Sequence, residues 1–304
     1  MKFRGIIPPV VTLFDEAGNL DLELNRKYMD RLIENNVHGI LLMGSSGEFT
    51  SLTVEERKLY IREMLKHIDK RVPVLVGVGD TVLKNVLELS DYATRQGADG
   101  LLVVSPYYWK LSEEQLYRFY SVVANHSKLP VLLYNIPSFT GVSLSVELTK
   151  KLAENYPNIC GIKETVDDFN HISSMIEVMR QVREDFAVFS AFDAHLFPGL
   201  AHGSAGSING SAVFAPEIST QLYKHFLEDD VEKAEEQHKK LTALMDLYTF
   251  CPSFFTTMKE AVHQRWFPKY PTGHRAPFDV YPKELADQVS NLLISINLKE
   301  GIKS

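Results

Sequence analysis

Cysteine is scarce in this chain. Its 304 residues hold only Cys160 and Cys251, too few and too far apart for a disulfide framework, so a reducing compartment is expected. Long apolar runs are missing too: none reaches the ~20 residues needed to cross a bilayer. The opening Met-Lys-Phe-Arg-Gly leads directly into Ile6-Ile7-Pro8-Pro9-Val10-Val11, which is too short and proline-rich for a signal peptide. A cytoplasmic protein with no membrane partner is the expectation. An excess of positive charge is also absent. The formal net charge of −7 argues against a nucleic-acid partner, which would require a basic stripe, and leaves small-molecule chemistry open. No G-x-G-x-x-G follows the first strand-like run and no Gly-Lys-Ser/Thr follows the glycines near residue 44, so dinucleotide and P-loop sites are not indicated. The ten histidines show no metal spacing. His195 and His202 read as helix residues, and neither a metal nor another cofactor is expected.

What the chain does contain is an alternation of short apolar runs with longer amphipathic ones. Hydrophobic residues make up 45% and charged residues 23%, enough to bury a sizeable core without disorder. Strands are expected over Ile6–Phe14, Gly39–Met43, Val74–Val78, Leu101–Val104, Val131–Tyr134, Ile159–Lys163, Ala187–Phe192 and Gly206–Ile208. Most are continuously apolar, as parallel strands covered on both faces must be. Helical periodicity marks Thr53–Lys70, Thr81–Gln96, Ser112–Ser127 and Ser143–Asn155. Thr53 with Glu56 forms a capping box, and Ser112 precedes acidic residues that suit the positive end of a helix dipole. Eight strand signals, each followed by a helix signal, predict an α/β fold of the (β/α)8 TIM-barrel type over residues 1–228. The eighth strand, within Gly203-Ser204-Ala205-Gly206-Ser207-Ile208-Asn209-Gly210, reads equally as a loop. After Ala215-Pro216 the pattern changes to the helical segments Val231–Tyr248, Phe254–Trp266 and Pro282–Asn297. They predict a C-terminal helical appendage over 229–304. Glu228-Asp229-Asp230 reads as a solvated helix start.

In such a barrel the chemistry sits at the C-terminal strand ends. Strand six ends in Gly161-Ile162-Lys163-Glu164-Thr165. Attack on a carbonyl needs a neutral amine, and a desolvated barrel interior raises the neutral share of a lysine above its value in water. A lysine at that end can therefore serve as a nucleophile or simply reach water. Strand two ends in Gly44-Ser45-Ser46-Gly47-Glu48, whose small residues leave backbone N–H groups and two hydroxyls able to hold an anion, or form an ordinary turn. Tyr134, closing strand five, is placed for core packing or for proton transfer. Tyr107 and Tyr108, after strand four, suit barrel-mouth packing or an interface. Cys160 reads as a small buried apolar residue.

Taken together these strand ends resemble the pyruvate-dependent class I lyase superfamily that includes dihydrodipicolinate synthase and N-acetylneuraminate lyase. The resemblance covers nearly the whole chain. Gly44-Ser45-Ser46-Gly47-Glu48 looks like that family's carboxylate-binding motif, Tyr134-Asn135-Ile136-Pro137 like its tyrosine motif, and Gly161-Ile162-Lys163 like its Schiff-base motif. The resemblance implies that Lys163 forms an imine with the keto group of pyruvate or another 2-keto acid, and that Tyr134 moves the proton of the aldol step. It assigns Ser45, Ser46 and Gly47 to the carboxylate, and Ile208 to a backbone contact with pyruvate. Tyr108 matches a residue that crosses from a neighbouring subunit to complete a proton relay with Ser45 and Tyr134, implying a homo-oligomer, dimer or tetramer. Phe139 stands where the synthases typically carry an arginine for the second carboxylate, and a phenyl ring cannot pair with one. Serines replace the synthases' threonine pair. Thr165 and Asp193 match residues that grip a polyhydroxylated chain, whereas Ala191 and Ala194 depart from the sialic acid lyases. The segments Ser105-Pro106-Tyr107-Tyr108-Trp109-Lys110 and His195-Leu196-Phe197 look most like the 2-keto-3-deoxy-sugar-acid aldolase branch. The implied reaction is reversible cleavage of a 2-keto-3-deoxy-aldonate to pyruvate and an aldehyde. The alternatives are condensation of pyruvate with aspartate semialdehyde and, more remotely, a non-catalytic keto-acid-binding barrel.

Overall fold

The computed structural model describes residues 3–278 and 281–298. Among them are the strands β1 (Gly5–Ile6), β2 (Ile40–Leu42), β3 (Val74–Gly77), β4 (Gly100–Val104), β5 (Val131–Asn135), β6 (Ile159–Glu164), β7 (Ala187–Ser190) and β8 (Gly206–Ser207). They make one parallel sheet in the order β1-β8-β7-β6-β5-β4-β3-β2. Its two ends meet, because the Leu41 N–H donates to the Pro8 carbonyl and the Val10 N–H to the Leu41 carbonyl, each at 3.0 Å. The sheet is thus a closed (β/α)8 barrel. Its strands are buried along almost their whole length, as the continuous apolar runs require.

β1, β2, β3, β7 and β8 are shorter than expected, and for β1 and β8 the reason is local. Pro8 and Pro9 carry no N–H to donate, so the ladder of β1 stops at Ile6 and the chain continues to Phe14 as a buried irregular segment. β8 is a two-residue strand between β1 and β7. There Gly206 adopts φ +144°, and a Cβ on it would run into the Gly5 backbone. The glycine that makes this stretch look like a loop is what lets it close the barrel.

The helices start where the capping residues direct. Thr53 and Glu56 make a reciprocal capping box at Val54–Ile68, and Ser112 does the same with Gln115 at Glu113–His126. Beyond the last barrel helix, Pro216–Leu227, come Val231–Ala243, a 3-10 turn Leu244–Thr249, Phe254–Trp266 and Lys283–Ser295, with no strand between them among the described residues. Asp230 caps the first of these by accepting from the Lys233 N–H. Residues 279–280 and 299–304 of the expected appendage lie outside the described residues. The Phe254–Trp266 helix is tied to the barrel by Arg265, which donates to Glu217 at 2.5 Å and to the Phe214 carbonyl.

The pairing of β5 with β6 is irregular. Val131 lies opposite Ile159, but Leu132 lies opposite Gly161, so the ladder skips Cys160. From there Tyr134 falls opposite Lys163 and Asn135 opposite Glu164. On its other edge β6 approaches β7 so closely that a Cβ on Gly161 would sit 2.5 Å from the Ala187 carbonyl oxygen. Gly161→Ala must push these strands apart. Its unfolding free energy in urea should fall by about 1–3 kcal/mol, the usual cost of overpacking. Unchanged stability would mean that the two backbones are not in this contact.

Candidate active site

At the C-terminal ends of the strands a cavity of about 200 Å³ is lined by Ser45, Ser46, Tyr134, Lys163, Thr165 and Ile208, together with Phe139, Tyr248, Phe254 and Met258. Side chains alternate along a strand, so the register that sets Tyr134 opposite Lys163 turns both into the barrel mouth. Lys163 is 4% exposed, and its Nζ lies 4.3 Å from the centre of the Tyr134 ring. The Tyr134 hydroxyl is 3.2 Å from Ser45 Oγ. An amine, a phenol and an alcohol therefore share one small, largely apolar space.

The strand-two segment forms a tight turn. Gly47 N–H donates to the Gly44 carbonyl at 3.0 Å, Glu48 N–H to the Ser45 carbonyl at 3.1 Å, and Thr12 Oγ1 to the Gly47 carbonyl at 2.7 Å. The backbone N–H groups of Ser45 and Ser46 donate to no protein group among the described residues. Those two groups can meet an anion. Gly47 cannot add its own N–H, which the turn consumes; its part is to carry no Cβ, which would sit 3.0 Å from the Val10 carbonyl oxygen.

The outward faces of β5 and β6 carry a polar latch. Asn135 Nδ2 donates to the fully buried Glu164 carboxylate at 2.8 Å, while Asn135 Oδ1 accepts the Leu144 N–H at 3.0 Å. His171 Nε2 lies 3.3 Å from the other Glu164 oxygen. That hydrogen bond lifts the His171 pKa above its ordinary value, against the opposing effect of burial. Asn135 and Glu164 follow the inward tyrosine and lysine directly, so strand alternation was a signal for this pair that motif reading did not use.

Two expected site residues, Asp193 and Tyr108, lie outside this cavity. Asp193 does not reach the cavity to receive substrate hydroxyls. Its side chain is fully buried and accepts from Asn209 Nδ2 and Ser211 Oγ at 2.5 Å and from the Tyr248 hydroxyl at 2.6 Å. Burial pushes its pKa up, and these three donors pull against that. The group presented to the cavity is Tyr248, supplied by the helical segments, for which the sequence held no signal. Tyr108 is 85% exposed, at φ +86°, beside Trp109 with ring centres 5.1 Å apart, and does not line the cavity within one chain. Tyr107 packs edge-on against Phe49 at 6.0 Å. By contrast Thr165 lines the cavity, with its Oγ1 buried and without a hydrogen-bond partner among the described residues.

The family model described as the dihydrodipicolinate synthetase family matches residues 2–296. The chain belongs to this family. Among similar members is YagE of Escherichia coli K12, named provisionally as a 2-dehydro-3-deoxy-D-gluconate aldolase, 43% identical over 260 residues, or 86% of each chain. YjhH of the same strain, named provisionally as a 2-dehydro-3-deoxy-D-pentonate aldolase, is 38% identical over 258 residues, covering 85% of this chain and 86% of the relative. The crystal structure of YagE in complex with pyruvate superposes with a TM-score of 0.94 at 39% identity, over 98% of this chain and all of that one. Dihydrodipicolinate synthase of Thermotoga maritima superposes at 0.92, with 30% identity over 98% of this chain and all of the other. The fold is therefore that of the family, with its strand-end cavity.

The His171–Glu164 contact makes a signed prediction. Because the folded state raises the His171 pKa above 6.5, its stabilisation is complete below pH 6.5 and fades as pH climbs through the raised folded value. His171→Gln should therefore lose most stability, relative to the natural chain, in acid. In urea titrations the gap should narrow as pH rises through the raised folded value. A gap that stays constant or widens with pH would contradict the pairing.

Proposed function

We propose that this chain is a Schiff-base aldolase that reversibly cleaves a 2-keto-3-deoxy-aldonate to pyruvate and an aldehyde. One observation carries the reading: the buried Lys163 amine shares its cavity with the Tyr134 hydroxyl and with the free Ser45 and Ser46 N–H groups. The cradle binds the C1 carboxylate. The Lys163 amine adds to C2, and water is lost to give an iminium. Tyr134 takes the proton of the C4 hydroxyl, the C3–C4 bond breaks, and its electrons pass into the iminium to leave an enamine. The aldehyde departs. Protonation at C3 and hydrolysis then release pyruvate and regenerate the amine.

The outer part of the cavity supports the sugar-acid substrate. Phe139 lines it and stacks on Phe254 at 6.0 Å, 26° from parallel. Among the described residues lining this cavity and the adjoining one of about 490 Å³ at its mouth, Lys163 is the only cation, so a second substrate carboxylate meets no guanidinium. Hydroxyls of Thr165 and Ser138 are placed to bond an alcohol chain instead. The names of YagE and YjhH point to the same substrate class. Tyr108 acts from a neighbouring subunit in this reading: it is an exposed aromatic in left-handed backbone beside Trp109, suited to being covered by another copy. Cys160 and Cys251 are not joined in a disulfide, which favours a cytoplasmic setting.

Borohydride reduction in the presence of pyruvate should fix one three-carbon label on Lys163, located by mass spectrometry of a digest, and no label on Lys163→Ala. Intact protein without label would favour a binding module. Tyr134→Phe should keep the label yet slow the C–C step by ~10²–10⁴-fold; equal turnover would remove Tyr134 from the mechanism. 2-Keto-3-deoxygluconate cleavage should outrun condensation of pyruvate with aspartate semialdehyde, and the reverse order would reject the substrate class.

A further inference from the structure

The anion cradle ends in a residue whose side chain the reaction does not use. Glu48 closes the turn by donating its N–H to the Ser45 carbonyl at 3.1 Å, and it does so in left-handed backbone, φ +53°. That conformation is uncommon for a residue with a Cβ and persists only where its surroundings hold it. The Glu48 side chain is 1% exposed and ion-paired with Lys259, which is wholly buried in the Phe254–Trp266 helix. The Lys259 ammonium also lies 4.6 Å from the Phe14 ring centre. Two turns of that same helix supply Phe254 and Met258 to the cavity wall.

This pair is a poor device for stability. Neither Glu48 oxygen has a well-oriented hydrogen bond among the described residues, and neither does Lys259 Nζ. Burying two charges without such bonds costs several kcal/mol per ion, and an apolar pair of similar volume commonly serves as well. Burial accordingly raises the Glu48 pKa and lowers that of Lys259, each opposed by the other's charge. What the attraction does is pull the last residue of the cradle onto a helix that already forms the opposite wall.

We propose that Lys259, through its buried ion pair with Glu48, is a positioning residue for the cradle, setting the Ser45 and Ser46 N–H groups to receive the substrate carboxylate. This rests on the reading of that turn as the carboxylate site. Lys259 touches no substrate. Its removal leaves the Glu48 carboxylate without its ion-pair partner, with only the field of Arg275 opposing its charge, and it turns toward the mouth cavity that Glu48 already borders and takes the backbone with it.

The test uses borohydride trapping of the full chain across a range of pyruvate and methyl pyruvate concentrations. Pyruvate has the carboxylate and its ester does not. The natural chain should label at lower pyruvate than methyl pyruvate. Lys259→Met should raise half-saturating pyruvate about tenfold or more, the scale of one weakened hydrogen bond to a charge, with methyl pyruvate and the maximal label unchanged. Glu48→Gln with Lys259→Met together removes both charges and should recover most of the discrimination. If the natural chain traps pyruvate but Lys259→Met keeps its preference, or if the double variant is as poor as the single, the positioning role is wrong. If the natural chain traps neither compound, the aldolase reading fails, and this inference with it. Should Lys259→Met not fold, Lys259→Arg is the second arm. Its wider, planar cation displaces the turn and should weaken the pyruvate preference by several fold; an intact preference would overturn the proposal.

Discussion

The β5–β6 register is the constraint from which the rest of the site follows. Without the skipped Cys160, Lys163 would pair with Asn135 and face the helix layer whenever Tyr134 faced the mouth. The one-residue irregularity brings the amine and the phenol to the same side. It also sends Asn135 and Glu164 together to the other side, where they bond each other at 2.8 Å. The inward chemistry and the outward latch are two faces of one ladder. A shift of the register would cost the buried Glu164 its amide partner and leave it His171 alone, so the latch holds the alignment of Tyr134 with Lys163.

Around that pair the barrel separates two kinds of environment. The cavity itself is bounded mainly by rings and aliphatic groups, with few polar atoms. The buried charges lie just behind it. Glu164 is outside β6, Asp193 is enclosed by Asn209, Ser211 and Tyr248, and Glu48 is paired with Lys259. Each belongs to, or supports, a segment that presents a group to the cavity: β6 with Lys163, the Tyr248 turn, and the cradle. Carboxylates left facing the cavity would compete with a substrate carboxylate for the same donors. Kept behind the wall, each orients its segment without that conflict.

The helical segments after the barrel are part of this arrangement. Tyr248, Phe254 and Met258 complete the cavity, and Lys259 reaches the cradle from the far side. A barrel alone would leave the mouth open to water, weakening both the desolvation of the amine and the short-range attraction of the cradle for an anion.

Strand and helix periodicity, the capping box at Thr53, the helix start at Ser112, and the three strand-end motifs were legible in the linear chain. They are local: apolar alternation, small turn residues and caps act over a few neighbours whatever the rest of the molecule does. From them the sequence by itself determined a (β/α)8 barrel with Lys163, Tyr134 and the Ser45–Ser46 turn at strand ends. Tertiary structure alone decided the rest. Asp193 carries the same residue type whether it meets a sugar hydroxyl or three protein donors, and only packing commits it to Asn209, Ser211 and Tyr248. Lys259 belongs to no strand-end motif, yet lies fully buried against Glu48. Long-range contacts of this kind depend on which surfaces meet after the barrel has closed, and no pattern of nearest neighbours along the chain records them.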